Sequence, residues 1–161
     1  IDRRTFIQRA GATAAGIVLA PFSAQAARVA YNDKVRIAII GTGGMGRTHA
    51  YSLAHNPNCD IVALCDVYTK QFEEVATNVE TITSKRPDTH QDFRSVLDRD
   101  DIDAVWIATP DHWHPLITVM ACQAGKDVYV EKPVCTTVHE GRAMVKATRR
   151  YGRVVQVGTQ H

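Results

Sequence analysis

The stretch VRIAIIGTGGMG, residues 35–46, constrains the fold more than any other part of the chain. Between Val35 and Ile40 only Arg36 is polar. A strand so apolar asks for cover on both faces, as in a parallel sheet. Gly41, Gly43 and Gly46 follow in a G-x-G-x-x-G spacing. After a strand and before a helix, the first glycine permits the turn and the second admits a phosphate against bare backbone. The third lets the next helix pack tightly on the sheet. Gly44 and Met45 fall in the opening turn of that helix, which is expected over residues 44 to 55. Its free N–H groups and positive dipole end suit a pyrophosphate.

The rest of the chain supplies the surroundings such a loop needs. Apolar runs at 35–40, 61–65, 105–108, 128–131 and 154–157 read as strands, with a weaker sixth near Thr89. Helical periodicity fills the gaps. Phe72, Val75, Ala76 and Val79 share one face, as do Leu116, Val119, Met120 and Gln123. Val138, Arg142, Val145 and Thr148 make a weaker third face, supported by the helix propensity of Ala143 and Ala147. Asp92 is placed to cap a short helix carrying Phe93, Val96 and Leu97. Gly125 and Gly152 end helices where a left-handed residue is wanted. Right-handed crossovers between six strands predict an α/β fold, a doubly wound parallel sheet of order 3-2-1-4-5-6.

That order puts the carboxyl ends of the strands around one crevice. Asp66 ends the second strand, about 20 residues past Gly46, where a carboxylate accepts from a ribose diol and repels a 2′-phosphate. NAD is therefore expected over NADP, although an ordinary turn carboxylate would look the same. The loop TPDHWHP follows the fourth strand. Trp113 offers a flat face for a nicotinamide or sugar ring, and His112 and His114 can donate to phosphate or ribose oxygens. The plainer alternative makes Trp113 core packing and His114 a helix-start residue before Pro115. A metal on the two histidines is not expected, because their i, i+2 spacing points opposite ways and no third ligand is apparent. Lys132 is the catalytic candidate. Pro133 holds it extended at the end of the fifth strand. Beside an oxidised nicotinamide its ammonium is pushed toward losing its proton, and it can help deprotonate an alcohol giving up hydride. The alternative is a surface lysine closing a strand.

The first 26 residues read as an export signal. Arg3, Arg4 and Arg9 precede an apolar stretch from Ala10 to Ala20, and Ala24-Gln25-Ala26 offers small-x-small cleavage. The paired arginines before Thr-Phe-Ile resemble a twin-arginine signal, implying a periplasmic protein handled by that export machinery. The apolar stretch is too short for a stable membrane anchor. Residues 27–33 read as a linker and 34–161 as the dinucleotide-binding domain. Absence of an initial Met and an abrupt stop at His161 suggest part of a longer protein. A net charge of +2 without a basic block suggests no nucleic-acid partner. Cys59, Cys65, Cys122 and Cys135 lack zinc or C-x-x-C spacing and are expected as small buried apolar residues.

IGTGGMG, Asp66, ATPDHWHP, AGKDVYVEKP and VVQVGTQH together resemble the glucose–fructose oxidoreductase, inositol dehydrogenase and MocA (Gfo/Idh/MocA) family, across 34–161. The resemblance implies a homo-oligomeric enzyme with a second α+β domain that carries the rest of the substrate site. It implies NAD or NADP as cofactor and a sugar, sugar acid or polyol as substrate. Lys132 matches the family lysine that activates the hydroxyl. Thr109, Pro110, Glu131 and His114 match positions lining the cofactor, and Gln160 lies where the family approaches the nicotinamide. The aspartate–histidine pair that completes catalysis in the family lies beyond His161, so this stretch is expected to bind cofactor without turnover. Two other readings stay open. One is a glycosidase that recycles NAD through transient sugar oxidation and elimination; the other is a cofactor-binding module without catalysis.

Overall fold

The computed structural model describes residues 34–159. Residues 1–26, expected as an export signal, residues 27–33, expected as a linker, and Gln160 lie outside the described residues. The chain runs β1 (Val35–Ile40), α1 (Gly44–Ala54), β2 (Cys59–Cys65), α2 (Thr69–Thr83), β3 (Asp88–His90) and α3 (Phe93–Leu97). It continues through β4 (Ala104–Ile107), α4 (His114–Gln123), β5 (Asp127–Glu131), α5 (Val138–Tyr151) and β6 (Val155–Gly158). All pairings are parallel, and the sheet order is β3-β2-β1-β4-β5-β6, as the crossover argument predicts.

Because both faces of the central strands are covered, alternate residues of β1 enter different cores. Ile37 and Ile39 join Leu64, Phe72, Val75, Ala76 and Val79 beneath α1 and α2. Ala38 and Ile40 join Val105, Ile107, Ile117, Val130 and Met144 beneath α3, α4 and α5. Each fully buried aliphatic side chain contributes about 1.5–3 kcal/mol relative to exposure. Asp92 caps α3 by accepting from Arg94 N. Gly125 and Gly152 take positive φ beyond the ends of α4 and α5, as expected; Ser84, at the end of α2, does so without being expected. Cys59, Cys65 and Cys122 are buried, while Cys135 is only half-buried.

Two helix faces differ from expectation. In α4 the buried residues are His114, Pro115, Ile117, Thr118, Ala121 and Cys122, and Leu116 is exposed. In α5 Met144 and Ala147 are buried, while Val138 and Val145 face outward. The physical reasons differ. HPLITVMACQ is apolar almost all round, so its period carries no phase, and small residues such as Ala121 permit the closest approach to the sheet. In α5 the pattern does choose a face: Met144, Ala147 and Tyr151 form one stripe against the core, with Arg142, Lys146, Arg149 and Arg150 exposed away from it, so the expectation built on Val138 and Val145 took the wrong phase.

Candidate functional site

The carboxyl ends of β1, β2, β4 and β5 open onto one crevice of about 830 Å³, a size that suits a small-molecule ligand. Its floor is laid by the glycine loop. Gly41 has φ +89°, and a Cβ there would stand 2.7 Å from the Ala108 carbonyl, so the loop lies hard against the end of β4. Gly41 N donates to Cys65 O at 2.8 Å, closing it onto β2 as well. A Cβ on Gly46 would sit 1.8 Å from Gly41 O, so α1 can begin that close only without a side chain. Gly44, by contrast, faces open space, and a Cβ on Gly43 would meet only the Gln71 side chain, at 4.0 Å. No side chain caps α1 and no acid occupies its first turn. Its leading N–H groups therefore stand free for an anion.

Asp66 ties this loop to the next. One carboxylate oxygen accepts from Thr42 N at 2.8 Å and Thr42 Oγ1 at 3.2 Å, and the other accepts from Tyr68 N at 2.9 Å. Three bonds leave a carboxylate with acceptor capacity on the crevice side, so bracing the loop and accepting from a ribose are compatible. Beneath it, burial pushes the Cys65 thiol up to about 12, helped by the charges of Asp66 and Asp92, which keeps it a neutral wall. Val67, Tyr68, Gln91, Phe93 and Arg94 line this end too, the Arg94 guanidinium lying 4.9 Å from the Phe93 ring centre. Sequence reasoning placed Asp92 as a helix cap but missed that its segment borders the crevice; the topological signal was the carboxyl end of β3.

The loop after β4 brings Thr109, Pro110 and Trp113 to the rim. Thr109 Oγ1 is buried without a hydrogen-bond partner among the described residues. Trp113 is 40% exposed and meets Phe93 edge-on at 6.2 Å, so it is not core packing. His112 is exposed and is not among the lining residues. His114 needs correction. It is 1% exposed, with Nδ1 2.8 Å from Pro133 O and Nε2 2.8 Å from Thr109 O. Both ring nitrogens face backbone carbonyls rather than a ligand, because the helix begins at this residue and turns the ring inward. The plainer reading thus fits His114 and not Trp113.

From β5 come Glu131 and Lys132. Lys132 is exposed on the crevice, and its peptide bond to Pro133 is cis. Glu131 is 3% exposed, accepting from His49 Nε2 at 2.6 Å and from Lys132 N at 3.1 Å. His49 reaches it from α1, packed against the rings of Trp106 and Tyr129 at 5.4 and 5.6 Å. Nothing in the sequence reading singled out His49 or Thr42. The signal available for His49 was its place three residues past Gly46, on the face of α1 turned to the sheet. Gly41, Gly43, Met45, Asp66, Thr109, Pro110, Trp113, Glu131 and Lys132 thus border one crevice, while Gly44, Gly46, His112 and His114 do not line it. The arrangement offers an anion cradle at the glycine loop, a carboxylate and an unpartnered hydroxyl beside it, and an ammonium across the rim.

The family model described as "Oxidoreductase family, NAD-binding Rossmann fold" (GFO_IDH_MocA) matches residues 35–159. A glycosyl hydrolase family 109 protein of Shewanella baltica is 30% identical, over 93% of this chain and 37% of that protein. The crystal structure of myo-inositol 2-dehydrogenase from Lactobacillus plantarum is 29% identical with a TM-score of 0.70, covering 78% of this chain and 36% of that one. The WlbA dehydrogenase of Bordetella pertussis, solved with NADH and UDP-GlcNAcA, is 28% identical with a TM-score of 0.66, covering 78% of this chain and 37% of its own. The chain thus spans well under half the length of these relatives.

Proposed function

Since the chain belongs to the Gfo/Idh/MocA family of NAD-binding oxidoreductases, we propose that it is the cofactor-binding part of an enzyme that oxidises a hydroxyl of a sugar, sugar acid or polyol. The observation carrying this reading is the convergence of the uncapped glycine-loop helix and Lys132 on one crevice. NAD, when bound, supplies the hydride acceptor. The chain's own groups do the rest. The open backbone at Gly43 and Gly44 binds the diphosphate. Asp66 accepts from ribose hydroxyls, which favours NAD over NADP. Thr109 Oγ1 gains the partner it lacks, and Trp113 covers one end and excludes water. Lys132 Nζ holds the substrate hydroxyl and takes its proton. The remaining catalytic groups and most substrate contacts belong to a second α+β domain, in a homo-oligomeric full-length enzyme.

The test is Lys132→Met in the full-length protein, with sugars and polyols offered together with NAD. NADH binding is expected to persist while turnover falls about 10²-fold or more. Unchanged turnover removes Lys132 from catalysis.

The likeness to glycosyl hydrolase family 109 proteins supports a second reading, in which the same oxidation is transient and a glycosidic bond is then eliminated. Release of aglycone without net NADH favours that reading; net NADH from free sugar favours the dehydrogenase. A full-length protein that binds NADH but does neither is a cofactor module. We also propose export to the periplasm by the twin-arginine route, read from residues 1–26. Replacing Arg3 and Arg4 by lysine is expected to leave the protein in the cytoplasmic fraction.

A further inference from the structure

We propose that His49 is a positioning residue for Lys132, acting through Glu131; the inference rests on the reading of Lys132 as the proton-handling group. Lys132 is held from both sides by histidines of other elements. On its amino side, the Glu131 carboxylate accepts from His49 Nε2 at 2.6 Å and from the Lys132 backbone N–H at 3.1 Å. On its carboxyl side, the Pro133 carbonyl lies 2.8 Å from His114 Nδ1, whose ring is fixed at its far edge by Thr109 O.

The His49–Glu131 contact is nearly dry, with side-chain exposures of 14% and 5%. A charge-assisted hydrogen bond screened from water in this way is short and directional. A carboxylate only accepts, so the ring must present its Nε2 proton. Packing against Trp106 and Tyr129 fixes the ring plane from which that proton is offered. The glycine-loop helix and the lysine turn thereby share one rigid connection, between residues 82 apart in the chain. A reactive group must be held within about 0.5 Å of its working geometry, and an exposed lysine on a loop end needs its backbone fixed to meet that.

Two substitutions separate hydrogen bonding from packing. His49→Leu keeps apolar bulk against the two rings and removes the donor. His49→Gln restores an N–H near the position of Nε2. In His49→Leu the Lys132 amide is expected to exchange with solvent about tenfold faster. The rate of side-chain acylation at Lys132, read by peptide mass spectrometry, changes about threefold or more. His49→Gln holds both within about twofold of the unsubstituted protein. Should His49→Leu not fold, Glu131→Met, which keeps the bulk and removes both acceptor oxygens, is expected to show the same two changes. Wild-type exchange and acylation in the donor-less variant overturn the proposal. So does a glutamine variant that behaves like leucine, or an exchange increase spread equally over β4 and β6. NADH titration by fluorescence is run alongside. If the unsubstituted protein does not bind NADH, the oxidoreductase reading fails while the exchange data still decide the role of His49.

Discussion

At the amino ends of the strands, polar groups find their partners within the chain; at the carboxyl ends, the leading ones are left facing outward. Arg36 on β1 grips Asp103 before β4 with two guanidinium bonds of 3.1 and 2.8 Å. Lys34 and Lys85 flank Asp60 at 2.9 and 3.1 Å. Arg99 spans Asp88 and Asp101 at 2.7 Å each. The buried Lys126 donates to the carbonyls of Arg99 and Ile102 at 2.5 and 3.0 Å. Across the sheet, the first helix has no side-chain cap, Thr109 Oγ1 has no partner among the described residues, and Trp113 stands 40% exposed. One edge is a finished surface. The other is a set of half-made interactions, which is what a binding edge requires.

The contrast can be broken at four points. Gly46→Ala places a methyl 1.8 Å from a backbone oxygen and is expected to cost about 3 kcal/mol, read as a lower urea midpoint; a stable variant would show that the loop has slack. Lys126→Met keeps the apolar stem at the closed edge and leaves two carbonyls unmet, costing about 2 kcal/mol in the same assay. Asp66→Ala acts on the open edge. Weakening of NADH binding by about tenfold is expected, with a reduced preference for NAD over NADP, and an unaltered ratio counts against the ribose role.

The smallest effect is that of acid. Asp60, Asp101 and Asp103 are held below the usual carboxylate range, chiefly by hydrogen bonds from Lys34, Arg99 and Arg36, with Asp101 brought to about 2. A lowered folded-state value means stability present above the unfolded value near 3.9 and lost as pH falls through the folded one. Melting temperature should therefore drop between about pH 4 and pH 2. These pairs are wet, so each contributes less than about 1 kcal/mol and the drop should shrink in about 0.5 M salt. A salt-independent acid transition would place the sensitivity elsewhere.

Much of the open edge was legible from order alone. Gly41, Asp66, Thr109 and Lys132 each lie within two residues past the end of a strand, and strand ends in a parallel sheet share a side. What was not legible depends on rotation and depth. His114 sits in the same loop as Trp113, yet one ring is buried between two carbonyls and the other forms part of the rim. Phe93, expected only as part of a short capped helix, belongs to the core and also borders the crevice.

By itself, the chain's order of apolar runs and glycines determined the parallel sheet, its 3-2-1-4-5-6 sequence of strands and the edge that carries the crevice. Crossover handedness and strand direction admit few other solutions. Only the tertiary structure decided which face of α4 turns inward, that Asp66 braces Thr42, and that His49 reaches Glu131. The reason is geometric. Periodicity specifies that a helix has a face but sets its phase poorly when residues are nearly all apolar, and a hydrogen bond between distant residues depends on ångström-scale packing that local sequence does not encode.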